Sequence, residues 1–263
     1  MTEQKNSYKQ IWKPILIFSS AFLIYGLLSV FLYRRFGSDA YAIGRFLYAV
    51  LCLILYLFTM PKPLMKQGSW KAVPIWTGVF LAVFYFCYLI VITDVPGNLS
   101  ALFQEDMHAV FRVVLLAGAA GIFEETMVRG YAADATHRWT AKCRYPVLLT
   151  GVLTSLLFGL LHLSNLHGDN ASQVWIQVFY ACMIGLALYA LRSISGSIWL
   201  PLITHILIDL QPGLGDGVTA SGSFALYAEI FLPLGVLSLC YLFLLEDAVR
   251  HQIVSVDIRN MQK

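Results

Sequence analysis

Stretches of about twenty residues with almost no charge recur along this chain from end to end. Inside a bilayer a stretch of that kind must satisfy its own backbone N–H and C=O groups, so it folds as a helix. Apolar runs over residues 14–33, 41–60, 73–92, 106–139, 146–163, 174–191, 198–210 and 224–245 predict an all-α polytopic membrane protein with eight transmembrane helices. The seventh run is short for a span and fits a tilted or internally packed helix. The composition agrees: of 263 residues 59% are hydrophobic and 13% charged, far from a soluble domain. The connections are too short to hide a soluble domain, so residues 1–263 read as a single transmembrane domain. The first run is too long for a signal peptide's apolar region and is followed by Arg34-Arg35, which predicts an uncleaved helix.

Charge and cysteine usage narrow the function classes. A net charge of +3 is too small to suggest a nucleic-acid partner. Cys52, Cys87, Cys143, Cys182 and Cys240 form no C-x-x-C pair, so neither disulfides nor a thiolate metal site is expected. With eight spans and a cytoplasmic N-terminus, the inner side receives Lys5, Lys9 and Lys13, then Lys62, Lys66 and Lys71. It also receives Arg138, Lys142 and Arg144, then Arg192, and finally Arg250, Arg259 and Lys263. Those are thirteen of the eighteen basic residues, so the positive-inside rule predicts both termini in the cytoplasm.

Ionisable groups at membrane depth are costly and mark working sites. Glu124, Glu125 and Arg129 lie inside the fourth run. At 100° per residue Glu125 and Arg129 share a face at i, i+4, acid before base, and Glu124 points elsewhere. The Glu124 stripe carries Ala117, Ala120 and Gly121, small enough to admit another helix. His162 lies in the fifth run and His205 and Asp209 in the seventh. Glu124 lies fifteen residues before Trp139 and His162 sixteen after Pro146, so both sit roughly 22–24 Å from the inner helix ends. Asp209, one turn beyond His205, is placed to accept its ring N–H and fix the tautomer. Phe158, one turn before His162, is expected to pack beside it. Glu229 falls near the outer end of the last run and reads as an interfacial residue.

Taken in order, Glu124-Glu125-Thr-Met-Val-Arg129, Phe158-Gly-Leu-Leu-His162 and His205-Ile-Leu-Ile-Asp209 resemble the motifs of the CAAX protease and bacteriocin-processing family of intramembrane proteases. The resemblance covers about residues 110–210. It implies a fold of eight helices around a polar intramembrane cavity and hydrolysis of peptide bonds near the cytoplasmic side of the membrane. It implies Glu124 as the base that activates water, helped by His162, with Glu125 braced by Arg129 and His205 steadying the oxyanion. The family pattern takes Asn or Asp at the last position; an Asp there donates only if protonated, so Asp209 is expected to orient His205. The resemblance favours a mechanism without cofactor. A zinc site of Glu124, His162 and His205 is the alternative chemistry. A non-catalytic bacteriocin-immunity or scaffold protein and a secondary transporter are the alternative classes. The expected partners are a peptide or membrane-protein substrate and the lipid bilayer.

Overall fold

The computed structural model describes residues 2–59, 75–168, 170–214 and 222–261. Lys62, Lys66 and Lys71, with the end of the polar turn at 211–217, lie outside the described residues. All regular structure among the described residues is helical: α1 (Thr2–Thr59), α2 (Ile75–Ile92), α3 (Val95–Leu102), α4 (Met107–Glu124), a π-helical turn (Glu125–Ala132), α5 (Ala133–Thr140), α6 (Pro146–Leu161), a 3₁₀ turn (His162–Asn165), α7 (Ala171–Ser195), α8 (Trp199–Asp209) and α9 (Phe224–Met261).

Five helices among the described residues are long and apolar enough to cross a membrane, or six if α2 and α3, bent by 53°, count as one span. That falls short of the eight expected, for three reasons. First, residues 14–59 form one apolar run of 46 residues, about twice the length a bilayer needs. The run breaks at Gly37 (φ 86°, ψ −172°), a conformation that a Cβ would disfavour. Its halves fold back on each other. The Tyr48 hydroxyl donates to the Ala21 carbonyl at 3.2 Å, and the Leu32 side chain packs on Gly44.

Second, the expected loop after Thr93 is largely the helix α3. Asp94, at φ 50°, accepts from the Gly97 N–H through its side chain, and Pro96 in the first turn needs no donor. Third, α8 has only eleven residues. The expected straight helix over 106–139 is continuous but changes pitch, passing from α4 through the π turn into α5. The outward faces of the long helices are apolar, with Leu23, Leu27 and Phe58 at 64%, 62% and 86% exposure. Such faces suit a hydrocarbon solvent, and the chain is a multi-pass membrane protein.

The chain divides into two compact units. The first comprises residues 1–61, 87–138 and 198–217, and the second 62–86, 139–197 and 218–263. In the first, the α1 hairpin packs along α4 and the π turn. Tyr25 stacks on Phe123 at 4.0 Å between centroids, Tyr56 meets Tyr131 edge-on at 5.1 Å, and the Tyr56 hydroxyl donates to Asp134 at 3.4 Å. In the second, α6 and α7 come close through small residues, Gly159 against Cys182 and Gly185 against Ser155. A carboxylate from α9, Glu246, accepts from the N–H groups of Val147 and Leu148 at 2.6 and 3.3 Å. It thereby satisfies two of the orphan donors at the start of α6.

Candidate active site

The first unit brings together five of the seven residues singled out in the sequence. Glu125 opens the π turn, fully buried, and its Oε1 carries two partners. Arg129 Nη1 approaches at 3.0 Å from one turn along, and His205 Nδ1 lies at 2.8 Å from α8. The acid–base pair expected at i, i+4 is therefore made, although the backbone between the two is π rather than α. A π turn is wider than an α turn and recurs at functional sites.

His205 is held from two sides. Its Nδ1 bonds Glu125, and its Nε2 faces Asp209 Oδ2 at 3.6 Å and Glu124 Oε2 at 4.0 Å. The expected neighbour, Asp209, is in place one turn along α8, but the shortest bond on the ring goes to Glu125. With Nδ1–H given to that carboxylate, the other nitrogen is directed at the gap between Glu124 and Asp209. Both separations exceed a hydrogen bond. The Glu124 carboxylate is 23% exposed and that of Asp209 20%, whereas that of Glu125 is sealed. One glutamate is thus braced and its neighbour left accessible, which is the division of labour a site needs between positioning and reaction.

Close approach of α4 and α8 makes this possible. A Cβ added at Gly121 would lie 2.6 Å from Ile206 Cγ1 and 3.0 Å from the Ile206 backbone N. Gly121 precedes Glu124 by three residues and Ile206 follows His205, so the glycine sets the distance between the stretches that carry Glu124 and His205. The small-residue stripe on α4 therefore does admit a neighbouring helix.

His162 and Phe158 belong to the second unit. His162 Nδ1 bonds the Phe158 carbonyl at 2.9 Å, and the two rings meet edge-to-face at 5.1 Å. The expected packing of Phe158 against the imidazole is present. Glu229 is exposed near the start of α9. All five cysteines are free. Among the described residues, no three His, Cys, Asp or Glu side chains are grouped to hold a metal ion.

One residue escaped the sequence reading. The Arg45 guanidinium lies over the rings of Tyr25 at 4.5 Å and Tyr41 at 5.1 Å, and it bonds the Tyr41 hydroxyl. A single arginine within the apolar run 41–60 was the signal available.

The chain was compared with known proteins. Residues 106–211 match the family model described as type II CAAX prenyl endopeptidase Rce1-like. No curated protein and no solved structure matches. The matched segment contains Glu124, Glu125, Arg129, Phe158, His162, His205 and Asp209, and it excludes the α1 hairpin.

Proposed function

We propose, from the match of residues 106–211 to the Rce1-like model of CAAX prenyl endopeptidases, that this chain hydrolyses a peptide bond by water activated at Glu124. The observation that carries the reading is the paired glutamates. Glu125 is fixed by Arg129 and His205, and Glu124 is exposed to the space that His205 Nε2 faces. Glu124 takes the proton of the attacking water and passes it to the leaving amine. Between attack and departure of the amine, the doubly protonated His205 donates from Nε2 to the oxyanion on the substrate carbonyl, while Glu125 holds the ring in line. Asp209 balances that imidazolium.

In this reading the membrane holds eight helices: the α1 hairpin counts as two, the bent α2–α3 pair as one, and the short α8 is embedded with them. The substrate is a peptide or membrane-protein segment presented at the cytoplasmic side, and the mechanism uses no metal. Glu124→Gln keeps the shape and loses the base, so turnover falls by about 10²–10⁴-fold or more while the protein still folds. The assay uses purified protein in detergent with prenylated and unprenylated C-a-a-X peptides and a panel of membrane-protein fragments. The same preparation is treated with a chelator and analysed for zinc. Activity that the chelator abolishes and zinc restores makes the mechanism metal-dependent and overturns the glutamate-base assignment. Full activity in Glu124→Gln overturns it too.

A further inference from the structure

Two arginines share one tyrosine at an edge of the second unit, away from the glutamates. Tyr145 stands immediately before α6, whose apolar span runs over Pro146–Asn165. Arg250 stands two residues beyond the apolar part of α9, Phe224–Ala248. These two helix ends lie side by side, because Glu246 of α9 accepts from the N–H groups of Val147 and Leu148 at 2.6 and 3.3 Å. Arg144, Tyr145 and Arg250 therefore sit at one level, where the hydrocarbon gives way to the lipid headgroups.

The Tyr145 ring packs on Phe243 at 5.6 Å between centroids. Both guanidiniums lie over that ring, Arg144 at 5.2 Å and Arg250 at 4.9 Å, and Arg250 Nη2 donates to the Arg144 carbonyl. Two cations on one ring are no more than about 10 Å apart and repel each other, so an anion that both can reach relieves the arrangement. A guanidinium that gives its face to an aromatic ring still has in-plane N–H groups for a phosphate. Lys142 and Arg144 are exposed and Arg250 is half-buried. Neither arginine forms an ion pair among the described residues. Glu246 is buried and directed at the start of α6, and Asp247 is the exposed acid beside it. Three cations against two carboxylates leave one positive charge, which a single phosphodiester matches.

We propose that Lys142, Arg144, Tyr145 and Arg250 form a headgroup site for an anionic phospholipid, whose phosphate is taken by the two guanidiniums. The bilayer always presents phosphates at this level. A zwitterionic headgroup brings its own ammonium to oppose the site, whereas an anionic lipid offers an uncompensated charge. The apolar surface continues toward the bilayer from the same ring: Phe243 and Leu244 are 46% and 65% exposed, and an acyl chain covers them. The site is independent of the protease reading.

The test uses the full chain purified in detergent and titrated with phosphatidylglycerol or phosphatidylcholine, with retained lipid counted by native mass spectrometry. Wild type should retain phosphatidylglycerol in preference to phosphatidylcholine. Arg144→Gln or Arg250→Gln should weaken phosphatidylglycerol binding about fivefold, and the two together about thirtyfold, the scale expected for one and two basic residues at a membrane surface. Phosphatidylcholine binding should not change. Arg34→Gln/Arg35→Gln removes the same charge from the α1 hairpin and should leave phosphatidylglycerol binding at the wild-type value. Inorganic phosphate at the lipid's concentration should displace none of it. The proposal is overturned by a wild type without preference, by an unaffected double variant, or by an equal loss in the Arg34/Arg35 control. Displacement by inorganic phosphate overturns it as well, because the site would then take a free anion. Should the double variant fail to fold, Arg144→Gln alone, which leaves its carbonyl to Arg250, must still show the fivefold loss, and wild-type binding there overturns the proposal.

Discussion

Gly121→Ala tests whether the spacing of α4 and α8 sets the active geometry. The added methyl would meet Ile206 Cγ1 at 2.6 Å, its backbone N at 3.0 Å and its Cα at 3.2 Å. Carbon atoms in ordinary contact lie about 3.5–4.0 Å apart. The Ile206 side chain can swing aside, but its backbone cannot move without taking α8 with it. Relief therefore requires a separation of about 0.5 Å, and His205 moves with its neighbour. Its 2.8 Å bond to Glu125 then stretches to about 3.3 Å, beyond good hydrogen-bond range. Overpacking should cost about 1–3 kcal/mol of stability. If His205 acts as proposed, its misplacement by this much should lower kcat by about 10–100-fold. Gly118→Ala is the control, because its methyl meets the Phe46 ring on the α1 hairpin at 2.9 Å and not α8. Both variants are followed by thermal unfolding in detergent and by peptide turnover. The expected pattern is similar destabilisation with a far larger activity loss at 121. Equal activity losses at the two positions, or full activity in Gly121→Ala, would refute the spacing argument.

Arg129→Lys keeps the charge but loses the guanidinium nitrogen that lies 3.0 Å from Glu125 Oε1, so kcat should fall at least tenfold, about 1.4 kcal/mol, with wild-type insertion into the membrane as the folding check. Glu246→Ala removes the acceptor for the first N–H groups of α6 and should lower thermal stability by about 0.5–2 kcal/mol, while turnover per folded molecule at low temperature stays at the wild-type value. Asp106 caps α4 by accepting from the Ala109 N–H, which holds its carboxyl below the usual range. Because the folded-state value is the lower one, the cap stabilises fully above about pH 4 and fades as pH falls through the depressed value. Amide exchange at residues 109–110 should therefore accelerate in acid in the native chain and much less in Asp106→Asn. Reporter fusions after Lys263 should be active in the cytoplasm only; activity outside it would overturn the inward orientation of both termini.

Much of this was legible in the sequence because membrane depth simplifies the reading. An apolar run of twenty residues has one available conformation, and a carboxylate within it stands out against its neighbours. Glu124, Glu125, Arg129, His205 and Asp209 were found in that way, and all five lie in one unit. Long-range closure was the part that composition could not convey. The Gly37 break looks like any glycine in a polar connection until the contacts of Ala21 with Tyr48 show the chain turning back. The partners of Arg45 were not legible because they depend on which residues the hairpin brings near it, namely Tyr25 and Tyr41. The α3 helix was missed because Asp94, Pro96 and Gly97 carry the composition of a loop, while their order also makes a capped helical start.

The π turn has a consequence for the length of the chain. A π turn is what an α-helix becomes when it absorbs one additional residue without unwinding. Upstream of it, Phe123 is engaged with Tyr25; downstream, Tyr131 and Asp134 are engaged with Thr59 and Tyr56 of the same hairpin. Removing one residue between Glu125 and Arg129 would let the helix relax to α pitch, with the residues on either side kept in phase. Arg129 would close to i, i+3 of Glu125, and the 3.0 Å contact between them would have to be remade at a different angle. The eight residues of that turn are therefore constrained in number as well as in kind. A one-residue deletion there should be far more damaging than any conservative replacement of Thr126 or Met127.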